Sequence, residues 1–433
     1  MFFQIKTSLI IFCFKMSSTL FIVFFLFVVI RVLLLLGPIP PVPYYGSLAA
    51  PSHIHLWSEW LTWQTNTHSG SSFSEPLQRS PHILINVPFL NVMTWLWSRP
   101  PAQWFVQLCT LTSDLLISVL LLYSNNREQK QIWGTSFFVS CASFLLIQLG
   151  CVLYTTAYSL SLIEHLLVIL ILCCARRCGH SNWNILSGVC WTAALIVLCH
   201  VRYLFFLPAF FVPRCMDWTS GTFSRKRYAL VTILSISAAL GVLLMYQHDP
   251  TYMVSWHASL SPLWYVNSLM FPRFLPLATL LPDYILLVCA VVSFPAAVVV
   301  HEKTERISRC NIGELVWHIS LSLWLASTIC KTEFSLPDSL FCLGFFGFLA
   351  NSSVVGTIKG DELVKVTSAV AAWFVSLPLI FVFAHAWLVT QLANPNWMFF
   401  ASVAHFASLG FLSRTFFGIA MLDQEERGKI KEN

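Results

Sequence analysis

Apolar residues in this chain fall in long runs broken by short polar stretches, a pattern with too little alternation for exposed strands and too few charges for soluble amphipathic helices. A membrane span needs about 20 mainly apolar residues. The first such run is roughly 19–36; Lys6 and Lys15 precede it, Arg31 interrupts it, and no small-residue cleavage site is clearly placed, so it reads as a retained anchor. Further runs fall near 103–123, 133–153, 157–175, 183–199, 203–219, 228–246, 282–300, 313–330, 339–356, 366–391 and 397–420. The pattern predicts an all-α polytopic membrane protein with about twelve transmembrane helices and both termini on one side. The pair over 183–219 shares few residues around Arg202 and reads either as two spans or as a re-entrant hairpin.

Two stretches break the pattern. Residues 37–102 are rich in Pro, Ser, His and Trp. Within them Ile54, Trp57, Trp60, Leu61 and Trp63 recur at near-helical spacing behind Ser52, a candidate N-cap, which predicts a helix lying in the headgroup layer. Residues 83–97 are apolar but short, between Pro81 and Pro100, and read as a half-inserted segment. Residues 247–281 hold Pro262, Pro272 and Arg273, which argue against a continuous span and for a segment along the membrane surface. No internal repeat or linker divides the chain, so residues 1–433 read as one domain.

Composition sharpens this picture. Of 433 residues 57% are hydrophobic and 10% charged, against about a quarter charged in soluble domains. No hydrophilic stretch is long enough for a separate soluble catalytic domain. The net charge of +6 records topology and not nucleic-acid binding. Of the 25 Lys and Arg, eighteen lie in connections and tails assigned to the cytosol, four (Arg79, Arg99, Arg273, Lys331) on the opposite side and three (Arg31, Arg202, Arg414) within spans. That bias puts both termini in the cytosol. The 14 Cys lie mostly in apolar runs or at their ends, with neither a disulfide framework nor zinc-ligand spacing, and nothing points to a metal or another cofactor.

Arg31, Asp114, Glu164, His165 and Arg202 fall inside apolar runs, where a lone charge costs on the order of 2.5–3.5 kcal/mol, so each is expected to face the bundle interior and pair. Such groups mark either a functional site or a structural ion pair. The sequon at Asn351 falls at the cytosolic end of a span, beyond the glycosylation machinery. Lys429 and Lys431, fifth and third from the end, read as a dilysine retrieval signal for the endoplasmic reticulum, the alternative being a solvated charged tail.

Several segments, collinear over almost the whole chain, resemble the PIG-U family, the polytopic subunit of the glycosylphosphatidylinositol (GPI) transamidase. Residues 263–274, Leu-Trp-Tyr-Val-Asn-Ser-Leu-Met-Phe-Pro-Arg-Phe, are similar to the family's Phe-Trp-Tyr-Phe-Phe-x-Glu-Met-Phe-x-x-Phe stretch, with Leu269 standing where the family has Glu. Arg31, Thr112-Ser113-Asp114, Lys331 with Asp338 and then Phe345-Phe346, and Ala393-Asn394-Pro395-Asn396 follow the family's order. The resemblance implies a subunit of an endoplasmic-reticulum complex that joins proteins to a GPI lipid, with the chemistry in a separate caspase-like cysteine-protease subunit and the lipid presented by this one. Its fold would be a bundle like that of the dolichol-phosphate-sugar-dependent (GT-C) glycosyltransferases. Trp264, Tyr265, Met270, Phe271 and Phe274 are then the expected platform for the lipid chains, and Lys331, Asp338, Asn394 and Asn396 the expected headgroup contacts.

An enzyme of the glycosyltransferase class needs a carboxylate in the first luminal loop. That loop offers only Glu59 and Glu75, sixteen residues apart; Glu59, among Trp57, Trp60 and Trp63, is the candidate base, or else the polar face of the interfacial helix. No Ser/His/Asp or Cys/His arrangement and no nucleotide fingerprint accompanies it. A transporter lined by Arg31, Asp114 and Arg202 is the remaining class, against which stands the lack of similarity between the two halves.

Overall fold

The computed structural model describes residues 25–26, 28–29, 103–128, 135–156, 161–179, 181–198, 201–217, 222–245, 259–269, 274–304, 309–331, 334–351 and 360–431. Arg31, the loop 37–102 with Glu59, and Met270 and Phe271 lie outside these residues. The described chain is built almost wholly of helices: α1 (Gln103–Glu128), α2 (Thr135–Thr156), α3 (Ser161–Arg176) and α4 (Asn182–Leu198), then α5 (Leu207–Cys215), α6 (Arg225–Met245) and the short α7 (Leu263–Leu269). After these come α8 (Leu275–Thr304), α9 (Arg309–Ile329), α10 (Leu336–Asn351), α11 (Gly360–Leu388) and α12 (Pro395–Lys431). With one exception, each apolar run predicted between 103 and 420 falls on one of them.

The exception is 203–219, which is not a single helix. A 3-10 turn over Val201–Phe206 leads into α5, which ends after nine residues. Pro208 and Pro213 are the physical reason, since neither supplies an amide donor and each resists a long uninterrupted α-ladder. The chain then forms a small antiparallel pair, β1 (Met216–Asp217) with β2 (Thr222–Phe223), in the register Met216 to Phe223 and Asp217 to Thr222. Tyr203, Phe205, Phe206 and Phe210 are fully buried, so this broken segment fills the core.

Two described helices are long and apolar enough to cross a membrane, and they sit differently. Over Ile312–Ile329 α9 is 83% buried and forms the axis of the bundle, whereas α11 over Val364–Leu388 is only 22% buried. Its Phe374, Val375 and Val382 face outward, as do Leu230, Ile233 and Leu234 of α6 and Ile285, Val288 and Val292 of α8. Outward apolar faces of this kind are matched by hydrocarbon and not by water, the construction of a membrane protein. α3 crosses α9 closely at Gly313, where a Cβ would lie 2.1 Å from the Arg176 carbonyl oxygen. Beside that contact Arg176 Nε donates to Glu314 Oε1 at 2.8 Å and its guanidinium lies 5.3 Å from the Trp317 ring centre.

At 37 residues α12 extends about 55 Å, well beyond a hydrocarbon core of about 30 Å. Lys429 and Lys431 lie in its final turn, so this tail is helical to Lys431.

Candidate functional site

Charged side chains from three helix connections converge at one end of the bundle. Lys331 follows the last turn of α9, its amide bonded to the Thr328 carbonyl. Four residues on, Ser335 precedes α10 and Asp338 sits in the first turn, where it accepts from the Ser335 amide (3.1 Å) and hydroxyl (2.7 Å). The Ser-Leu-Pro-Asp sequence dictates this: an acidic side chain three residues into a helix reaches back to the orphan amide ahead of it, and Pro337 needs no donor there. The local capping arrangement also sets the Asp338 carboxylate against the positive end of the α10 dipole.

α3 brings Glu164 and His165 against this turn from its own first turns. Lys331 Nζ pairs with Glu164 Oε1 and stands 3.8 Å from Asp338 Oδ1. Tyr203, from the 3-10 turn, donates to the same Glu164 oxygen. Tyr154, at the end of α2, donates to Asp338 Oδ1 at 2.6 Å, and its oxygen is 3.0 Å from His165 Nε2. Because the tyrosine proton goes to the carboxylate, the network assigns the imidazole proton to Nε2, which also lies 3.3 Å from Asp338 Oδ1. His165 Nδ1 is buried with no hydrogen-bond partner, and the ring stacks on Phe341 at 4.3 Å.

Burial alone would depress the Lys331 ammonium, but the Glu164 and Asp338 carboxylates outweigh it and raise its pKa above the ordinary lysine value; Arg202 is near enough to oppose them. Lys331 and Arg202 thus balance Glu164 and Asp338. Lys331 and Glu164 side chains are each 14% exposed and form the edge of the cluster, while His165 and Asp338 are sealed behind them. Among the described residues no group of three His, Cys, Asp or Glu side chains is placed to hold a metal ion.

The segment before and within α7 docks on the same end. The Leu260 amide donates to the Phe334 carbonyl at 2.9 Å, which ties it to the turn between Lys331 and Asp338. Trp264 is buried and stacks on Trp387 of α11, while the Tyr265 hydroxyl donates to Asn396 Oδ1 of α12 and its ring lies 4.6 Å from Phe399. Asn394 caps α12, accepting from the Asn396 amide at 3.0 Å ahead of Pro395. Val266, Leu269 and Phe274 are left facing outward.

The structure therefore brings Trp264, Tyr265, Asn394, Asn396, Lys331 and Asp338 to one end of the molecule. Most of them are already committed: Trp264 to packing, Asn394 to a helix cap, Asn396 to Tyr265, and Lys331 and Asp338 to each other and to α3. Asp114 is buried in α1, apart from this set in the sequence, and accepts from Ser118 through its carbonyl. Tyr154 and Tyr203 carry no mark in the sequence that sets them apart from other aromatics. The same holds for His405, whose Nε2 and Nδ1 contact Ser339 (2.8 Å) and Ser376 (3.1 Å), with Trp373 Nε1 also donating to Ser339. That buried network ties α10, α11 and α12 together. No protein-family model matches the chain, and no match was found among curated proteins.

Proposed function

We propose that this chain is a non-catalytic, multi-pass subunit of a GPI transamidase complex, with about twelve spans in the endoplasmic-reticulum membrane and both termini in the cytosol. It holds the GPI lipid and presents it to a separate caspase-like protease subunit that performs the transfer. One observation carries this reading. The described parts of the segments that resemble the PIG-U family, 263–269, 334–338 and 393–396, are far apart in sequence, yet the Leu260–Phe334 and Tyr265–Asn396 hydrogen bonds join them into one surface.

On that surface the outward Val266, Leu269 and Phe274 lie against the lipid chains. Lys331 and Arg202 supply the cationic edge for the headgroup phosphate, while Trp264 and Tyr265 hold the platform in place. Depleting the chain in its own cells tests the reading: free GPI and uncleaved precursor proteins should accumulate together. Normal GPI attachment after depletion would overturn it.

A further inference from the structure

The end of the bundle opposite the charged cluster carries a second built surface. Arg214 lies in the last turn of α5, and α6 opens with Arg225, Lys226 and Arg227, all four exposed. The hairpin between them fixes their spacing. The Ser224 amide donates to the Cys215 carbonyl at 2.9 Å, so Arg214 and Arg225 flank one hydrogen bond. Inward-facing Cys215, Met216, Phe223 and Tyr228 are buried, Phe223 and Tyr228 lie 5.6 Å apart ring to ring, and the Tyr228 hydroxyl reaches the Val291 carbonyl on α8. The cations are therefore mounted on a packed scaffold and not on a loose tail.

Trp183 belongs to the same level. α4 runs antiparallel to α5 and meets it at Gly188, where a Cβ would lie 2.1 Å from the Phe210 ring. Counting back to Trp183 and forward to Arg214 from that crossing gives about 6–8 Å each way. Trp183 is 70% exposed.

We propose that Arg214, Arg225, Lys226 and Arg227, with Trp183, form a docking surface for the phosphodiester headgroups of anionic phospholipids. Three features select a lipid over a soluble partner. The first turn of α6 holds no acidic residue, so its cations face the positive end of the helix dipole and are stabilised by an added anion. Directly below them the exposed side chains become apolar, with Leu230, Ile233 and Leu234 on α6 and Leu186 on α4. That step from cation to hydrocarbon spans about 5–10 Å, the depth over which a bilayer passes from headgroup to acyl chain. Trp183 at the boundary is the residue type that settles at this depth. The inference rests on the membrane-spanning reading and is independent of the transamidase assignment.

The test uses the full chain reconstituted into mixed vesicles of phosphatidylcholine and phosphatidylinositol, re-extracted in mild detergent, with retained lipid counted by mass spectrometry. Phosphatidylinositol should be enriched over phosphatidylcholine, and the enrichment should fall roughly tenfold or more in the Arg214→Gln/Arg225→Gln/Lys226→Gln/Arg227→Gln protein. The charge-preserving Arg214→Lys/Arg225→Lys/Arg227→Lys protein should keep it, which separates loss of charge from loss of fold. Equal enrichment in the glutamine protein, no enrichment in the native chain, or full displacement by glycerophosphoinositol, which has the headgroup without the chains, would each overturn the proposal. A chain that carbonate strips from the vesicles would instead contradict the membrane-spanning reading itself.

Discussion

Replacing Glu164 by Gln removes the nearer of the two carboxylates facing Lys331 and leaves its ammonium with Asp338 at 3.8 Å. Breaking a largely buried pair on one side costs about 3–5 kcal/mol, because the surviving charge keeps its desolvation penalty. The expected outcome is a clear drop in the thermal unfolding temperature in mild detergent, most of it regained in Glu164→Gln/Lys331→Met, where neither charge remains. A double variant as unstable as the single one would show that the carboxylate acts through Tyr203 and not through Lys331. Much of this cluster was legible in part. Lys331 and Asp338 are seven residues apart across a short turn, and Glu164 and His165 stand out as charges in an apolar run. That these four belong together was not legible, since a separation of well over a hundred residues leaves no periodic trace. Tyr154 has no signal at all: an aromatic in an apolar run reads as packing until its hydroxyl is seen against Asp338.

Among the elements, the crossing of α3 and α9 depends on the missing side chain at Gly313. Gly313→Ala presses a methyl into the Arg176 carbonyl, where backbone cannot give way cheaply, and is expected to cost about 1–3 kcal/mol. Thermal unfolding beside the native chain measures it; an unchanged midpoint would mean the helices separate without loss. α7 is held by fewer contacts and should yield first. Trp264→Ala removes the stack on Trp387, a loss of about 3–5 kcal/mol for a buried Trp, and should speed amide hydrogen exchange at Leu260 while exchange along α9 stays slow. Exchange at Leu260 as slow as in the native chain would show that the Phe334 hydrogen bond holds the segment unaided. The long helices were readable because runs of apolar residues carry their own length; the short α7 was not, since Pro262 and Pro272 mark only where a span cannot continue. The broken course through Val201–Cys215 was not, since its apolar run was long enough for a span and only the placement of Pro208 and Pro213 within the bundle decides where the ladder fails.

Across the whole molecule, one end gathers Lys331, Glu164, Asp338 and the docked α7, and the opposite end carries Arg214 and Arg225 to Arg227. The excess of Lys and Arg in alternate connections predicts the second end to be cytosolic. A tag after Asn433 should accordingly be cut by protease added to sealed microsomes, and a protected tag would invert the topology. Lys429→Ser/Lys431→Ser should let the free subunit leave the endoplasmic reticulum, seen as later glycan processing on an engineered luminal sequon; full retention would assign those lysines to a solvated helix end. The proposed membership of a GPI-transferring complex is open to direct measurement. Its most direct test is purification of the tagged full chain from its own membranes in mild detergent, with the retained proteins identified by mass spectrometry. A caspase-like cysteine protease should be retained at a constant ratio to the chain, and a preparation that emerges as a single polypeptide without that protease would rule the membership out.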